Sequence, residues 1–244
     1  MKNMLAVEFL KLRRSKIVWI AVLAPLFLVS QGVANFVRYS GFWKAERVKW
    51  EIIYEQCVSF YGILLMPLLV TVLMALLARI EYGQNGWKQL LSLPVRRGQV
   101  YWTKFIVGLS LIILSTLILI AVMAIGGVLF IPGESMPLHL IAGGPLLSLV
   151  AILPIVALQF VLSMHFSHVG VPLTVGAGLA VPGALIANSK TYWIYYPWTY
   201  PGMALLGPVQ ERFDKGPLMY SISLLLFIIV MAVGAYGFKR RDIV

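Results

Sequence analysis

The feature that most narrows the fold of this chain is the recurrence of long apolar runs without a charge. Residues 105–131 contain no Asp, Glu, Lys or Arg, and neither do residues 57–78. About 20 apolar residues cross the roughly 30 Å hydrocarbon core of a bilayer as a helix. In that medium the backbone must satisfy its own N–H and C=O groups, which a helix does within one segment. Composition agrees: 60% of the 244 residues are hydrophobic and 12% are charged, against about 25% charged in a soluble domain. The pattern predicts an all-α polytopic membrane protein with six transmembrane helices, over 17–37, 57–78, 105–131, 140–164, 169–188 and 217–238. The first run is long enough to span, so no cleavable signal peptide is expected.

Charge placement orients these spans. With the N-terminus inside, thirteen of the 20 Lys and Arg fall in inside segments, together with three of the nine acids, Glu8, Glu81 and Asp242. Basic residues collect on the cytoplasmic side of membrane proteins, so both termini are expected in the cytoplasm, at the plasma membrane. The net charge of +11 is then accounted for by anionic inner-leaflet lipid, and no nucleic-acid partner is implied. A single cysteine, Cys57, excludes an intramolecular disulfide and reads as a small buried hydrophobe.

Between the spans, residues 1–16 form an amphipathic start. Leu5, Phe9 and Leu12 share one helical face, and Lys2, Lys11, Arg13, Arg14 and Lys16 supply the polar side, the pattern of an interfacial helix. Residues 38–56 read as a polar outside segment with Phe42, Trp43 and Trp50 resting on the interface. His165 and His168 could share a face, but His139 lies near the opposite surface, so no metal site is expected. Gly176, Ala180 and Ala184 recur every four positions, a spacing that lets helix backbones approach closely, within the chain or between subunits. Residues 189–216 read as an extracellular re-entrant segment. Tyr192, Trp193, Tyr195, Tyr196, Trp198 and Tyr200 crowd its start, punctuated by Pro197 and Pro201, which forbid one continuous helix. These aromatics are either a belt at the headgroup level or an outer gate that contacts an amphipathic substrate.

Missing motifs are as informative. No nucleotide-cradling G-x-x-x-x-G-K-[ST] occurs, and no acid–base pair lies within the spans, so the chain is not expected to be an enzyme. Ser110, Ser115 and Ser163 read as hydrogen-bonding the backbone of their own helix or a neighbour. Ion-coupled carriers place ionisable groups at membrane depth, whereas Gln31 and Gln159 are the most polar long side chains here. Energy is therefore expected to enter from outside the membrane.

Residues 79–104 are the candidate entry point. They open with Glu81, carry Trp87, Leu90 and Leu91 on one helical face with Lys88 away from it, and stop at Pro94, followed by Arg96 and Arg97. A short amphipathic helix of this kind fits a groove on a partner. The run from Glu81 through Trp87-Lys88-Gln89-Leu90-Leu91-Ser92-Leu93-Pro94-Val95-Arg96-Arg97 to Lys104 resembles the coupling-helix signature of permease subunits of type-2 ABC exporters. Glu8-Phe9-Leu10-Lys11-Leu12-Arg13-Arg14-Ser15-Lys16 and the aromatic run 195–201 are similar to the bacitracin and lantibiotic-immunity branch. Tyr82-Gly83-Gln84-Asn85-Gly86 stands where many members have an acidic run and Gly-Thr, which also favours that branch.

The resemblance covers the whole length and implies a single transmembrane permease domain, 1–244, of a bacterial cell membrane. It implies a partner ATPase in two copies that binds ATP and Mg, with no cofactor in this chain, and a second permease chain, identical or related. Glu81, Trp87, Lys88, Leu90, Leu91, Pro94, Arg96 and Arg97 would meet the ATPase. The implied substrates are amphipathic peptides of the antimicrobial or lantibiotic type; the alternatives are the cell's own peptide, a drug or a lipid. An intramembrane enzyme or a scaffold is the reading left if the resemblance fails.

Overall fold

The structure is a computed structural model and describes residues 2–13, 15–43, 47–82, 96–210 and 215–240. Among these residues every regular element is a helix. In chain order they are α1 (Lys2–Arg13), α2 (Ile17–Arg38), α3 (Lys49–Tyr82), α4 (Arg97–Phe130), α5 (His139–Ala151), α6 (Leu153–His165), α7 (Gly170–Ile186), α8 (Tyr200–Gln210) and α9 (Gly216–Arg240). Four of them, α2, α3, α4 and α9, are long and apolar enough to cross a membrane. The bent pair of α5 and α6 makes a fifth crossing if it counts as one span, and α7 is a shorter apolar helix.

The described architecture departs from six simple spans at three places. First, α3 and α4 each have 34 residues, about 50 Å at 1.5 Å per residue, so both outrun the hydrocarbon. Residues 49–56, expected in an outside segment, are the opening turns of α3. Trp50 there is 2% exposed, and its ring sits where a side chain on Gly127 of α4 would go.

Second, the expected span 140–164 is broken at Ile152, where α5 and α6 diverge by 46°. The cause lies two residues on: Pro154 has no N–H to give to the carbonyl of Val150. The hydroxyl of Ser223 on α9 donates to that freed carbonyl at 2.7 Å. Ser223→Ala is expected to cost about 1 kcal/mol, the scale of an interhelical hydrogen bond in a membrane protein, measured by denaturant unfolding in micelles. An unchanged transition would show that the freed carbonyl finds another donor.

Third, residues 189–210 form two short 3-10 turns, Trp193–Tyr195 and Pro197–Thr199, that lead into α8. Residues 201–207 are buried, and α8 packs on α5 and on a π turn in α3, Tyr61–Leu65. At that turn a Cβ on Gly202 would meet Ile63 at 2.8 Å, and one on Gly62 would meet Leu205 at 2.7 Å. An extra residue per turn in α3 and two missing side chains thus let α8 seat against it.

The core is formed around α3. Helix α2 lies along α3 and α4, α4 runs beside α9, α9 against α6, and α6 and α7 cover the second half of α3. Gly176 and Ala180 are buried in this contact. A Cβ on Gly176 would collide with Thr71 on α3, so the small-residue face serves packing inside the chain.

Candidate functional site

Among the described residues, the buried charged side chains gather at one end of the helices. Glu8 and Lys11 lie on α1, Glu81 in the last turn of α3, and Lys104 two turns into α4. Glu81 and Lys104 are 1% exposed and Glu8 is 4% exposed. The Lys104 amine donates to Glu81 Oε1 at 2.5 Å and to Glu8 Oε2. The Lys11 amine donates to the same Glu81 oxygen at 2.8 Å and to Glu8 Oε1 at 3.0 Å. Two carboxylates and two amines thus close a neutral ring of four charges that joins three helices. Partial burial works against the charge on Lys11, but hydrogen bonds and attraction from Glu81 and Glu8 outweigh it and hold the amine above its ordinary range.

The ring explains how α1 sits. Sequence spacing places Leu5, Phe9 and Leu12 on the buried face, yet Phe9 is 45% exposed while Glu8 and Leu12 are buried. The inward face runs through Leu5, Glu8 and Leu12 with Phe9 turned out, because Lys104 supplies an amine at the position that Glu8 faces. Burying a carboxylate is acceptable only with a cation and hydrogen bonds to meet it, and Lys104 meets two at once.

Two further bonds tie the same end together. Tyr82 Oη donates to the carbonyl of Met164 at 2.7 Å, and Arg97 donates to the carbonyl of Lys239 at 3.2 Å. Met164 and Lys239 are penultimate residues of α6 and α9, where helix carbonyls lack an internal partner. The end of α3 is thereby fixed to α6, and the start of α4 to α9. Residues 83–95 leave from Tyr82 and return at Arg96, so the ring and both bonds surround the two roots of that connection.

Of the residues singled out in the sequence, Trp87, Lys88, Leu90, Leu91 and Pro94 lie outside the described residues. Arg96 is exposed in extended backbone before α4, and Arg97 bonds as above. Glu81 faces into the protein, so any part it plays for a partner passes through the ring. Glu8, Lys11 and Lys104 were not among the expected site residues. The available signal was a carboxylate on the face that Leu5 and Leu12 define, and a lysine opening an apolar run.

At the opposite end the six aromatics separate into two groups. Trp193, Trp198 and Tyr200 are buried. Tyr200 Oη donates to the carbonyl of Ile194 at 2.7 Å, and Thr199 Oγ1 to that of Trp193 at 2.7 Å. Tyr196 Oη reaches the carbonyl of Leu179 on α7 at 2.7 Å. These residues hold the turns together and fasten them to the helices. Tyr192 and Tyr195 are 69% and 79% exposed and are the members free to meet a ligand. A cavity of about 130 Å³ between α3, α7 and α8 lies nearby, and none of the six lines it.

Other sequence candidates resolve individually. Ser110 Oγ donates to its own helix at Val107, and Ser115 Oγ lies 3.3 Å from Tyr61 Oη. Gln159 is fully buried beside Gly176, and its amide has no hydrogen-bond partner among the described residues. Cys57 is buried, its Sγ directed at the carbonyl of Val29 on α2. His165 and His168 are exposed.

Set against known proteins, residues 4–183 match the model of a family described as ABC-2 family transporter protein. No curated protein and no solved structure matches the chain.

Proposed function

We infer the function from one premise, that this chain belongs to the ABC-2 family of transporter proteins: it is a membrane-embedded permease subunit driven by a separate ATPase. The family implies such a partner in general terms, and the chain is a multi-pass helical membrane protein. The rest of the reading is ours. Residues 79–104 lie on the cytoplasmic side and present Trp87, Lys88, Leu90, Leu91, Pro94, Arg96 and Arg97 to the ATPase, which holds ATP and Mg. Two permease chains pair with two ATPase subunits. Both termini are cytoplasmic, α7 counts with the other spans, and the cargo is an amphipathic peptide of the antimicrobial or lantibiotic type, met at the far side by Tyr192 and Tyr195.

The observation that supports this reading is the closed ring of Glu8, Lys11, Glu81 and Lys104 at the roots of residues 83–95. A push on that connection reaches Tyr82 and Arg96. Because the ring joins the last turn of α3 to the first turns of α4 and to α1, those helices must respond together. The displacement cannot be absorbed by one helix end alone. Glu81 and Lys104 are positioning residues in this scheme, and the ATPase itself meets the apolar face of 87–91. With no nucleotide-cradling motif in this chain, hydrolysis belongs to the partner.

Leu90→Asp tests the contact. Co-expressed with its ATPase, the variant is expected to lose at least tenfold in co-purified partner, since a carboxylate in an apolar groove is left unpaired, while its own melting temperature stays unchanged. Full retention of the ATPase, with peptide-stimulated ATP hydrolysis intact, would remove residues 87–91 from the interface.

A further inference from the structure

A second site lies beside the ring, on the outer surface of the same helix ends. Ser15, Lys16, Ile17 and Ile20, at the start of α2, face Leu76, Arg79 and Ile80, near the end of α3, across an open groove of about 450 Å³. That volume is in the range of small-molecule sites, roughly 300–1,000 Å³. Its lining is divided: Ile17, Ile20, Leu76 and Ile80 give an apolar wall, while Lys16 and Arg79 are exposed cations at its edge. Neither cation forms an ion pair with a carboxylate among the described residues, whereas Lys11 and Lys104, close by, pair twice each.

The groove also lies at a definable depth. Lys16 immediately precedes the spanning helix α2, and Arg79 is one turn from the end of α3. At the same end, Trp19 near the start of α2 and Trp102 near the start of α4 are 65% and 43% exposed. Exposed tryptophans at span ends mark the headgroup level of a bilayer. A molecule at this level that offers a negative group to Lys16 and Arg79 and hydrocarbon to four aliphatic side chains is an anionic phospholipid.

We propose that the groove between the starts of α2 and the end of α3 binds one anionic phospholipid, its phosphate held between Lys16 and Arg79 and its upper acyl carbons laid on Ile17, Ile20, Leu76 and Ile80. The lipid would occupy the joint between α2 and α3, beside the ring that fastens α3 to α1 and α4. The site requires only that the chain spans a membrane, and it stands whether or not an ATPase drives it.

The test uses the full-length chain in neutral detergent, titrated with fluorescent phosphatidylglycerol and, separately, with fluorescent phosphatidylcholine. One saturable phosphatidylglycerol site with at least tenfold preference over phosphatidylcholine is expected. Lys16→Gln with Arg79→Gln should weaken it about 25-fold, at about fivefold for each cation near an anionic surface. Lys16→Arg with Arg79→Lys keeps both charges and should restore binding, which separates loss of charge from loss of folding. Arg38→Gln with Lys190→Gln, outside the groove, should change nothing. Equal affinity for both lipids, or unchanged binding in the double Gln variant, overturns the proposal. So does displacement by millimolar inorganic phosphate, which would make the groove a site for free phosphate.

Discussion

Replacing Lys104 with Met is expected to destabilise the protein by about 3–5 kcal/mol, the usual cost of removing one partner from a buried ion pair, and to abolish ATP-driven transport. The size follows from the geometry. Lys104 is 1% exposed and donates to Glu8 and Glu81 together. Without it, two buried carboxylates share Lys11, which is itself part-exposed and held by flexible carbons. The measurement is denaturant unfolding of the purified chain in micelles, alongside transport by the complex in vesicles.

A second variant separates stability from coupling. Glu8→Gln, Glu81→Gln and Lys104→Met in one chain remove every buried full charge from the ring, so most of the lost stability should return. Transport should stay lost, because amides and a thioether no longer bind α1, α3 and α4 into one unit. Wild-type transport by this triple variant would sink the coupling role while leaving the structural one in place. Wild-type stability of Lys104→Met would sink both.

Gly32→Leu is expected to be the next most severe change, at about 3 kcal/mol, the upper part of the range for overpacking a close helix contact. A Cβ on Gly32 would stand 2.7 Å from Cys57 Cα and 2.7 Å from the carbonyl oxygen of Gln56. Both obstacles are backbone of α3, so no side chain can rotate aside and α2 must move away bodily. Since α2 also lies along α4, the displacement loosens both helices that flank residues 83–95. A thermal melt of the variant in micelles reads the effect. Gly41→Leu, at a position with open space around it, is the matched control, and equal melting of the two variants would contradict this account of the contact.

Much of the helical layout is legible in the residues alone, because hydrocarbon leaves the backbone few choices. The apolar runs 17–37 and 217–238 lie inside α2 and α9, and 105–131 ends one residue past α4; an uncharged run of that length has no other stable form in a bilayer. What could not be read was where helices continue beyond the hydrocarbon or break inside it. Residues 49–56 are polar enough to look like a loop, yet they extend α3 because Trp50 and Tyr54 are covered by α4 and α8. The break at Ile152 depends on Ser223, some seventy positions away in sequence. Pro154 signals a freed carbonyl, but only the neighbouring helix determines whether a bend there is tolerated.

The site divides along the same line. Glu81 and Lys104 open and close one of the runs that carried the resemblance to a permease family, and Glu8 and Lys11 belong to another, but nothing in the linear pattern brought the four together. Glu8 falls among apolar neighbours on a short basic helix, and a carboxylate at one register or the next looks the same in a linear pattern. Which face of α1 turns inward is settled by an electrostatic match with a residue 96 positions away. A solvent-limited property such as spanning a membrane is local and additive along the chain, so the amino acids determine it in order. A ring of opposite charges is a property of distances between helices, and it came into being only when the bundle closed.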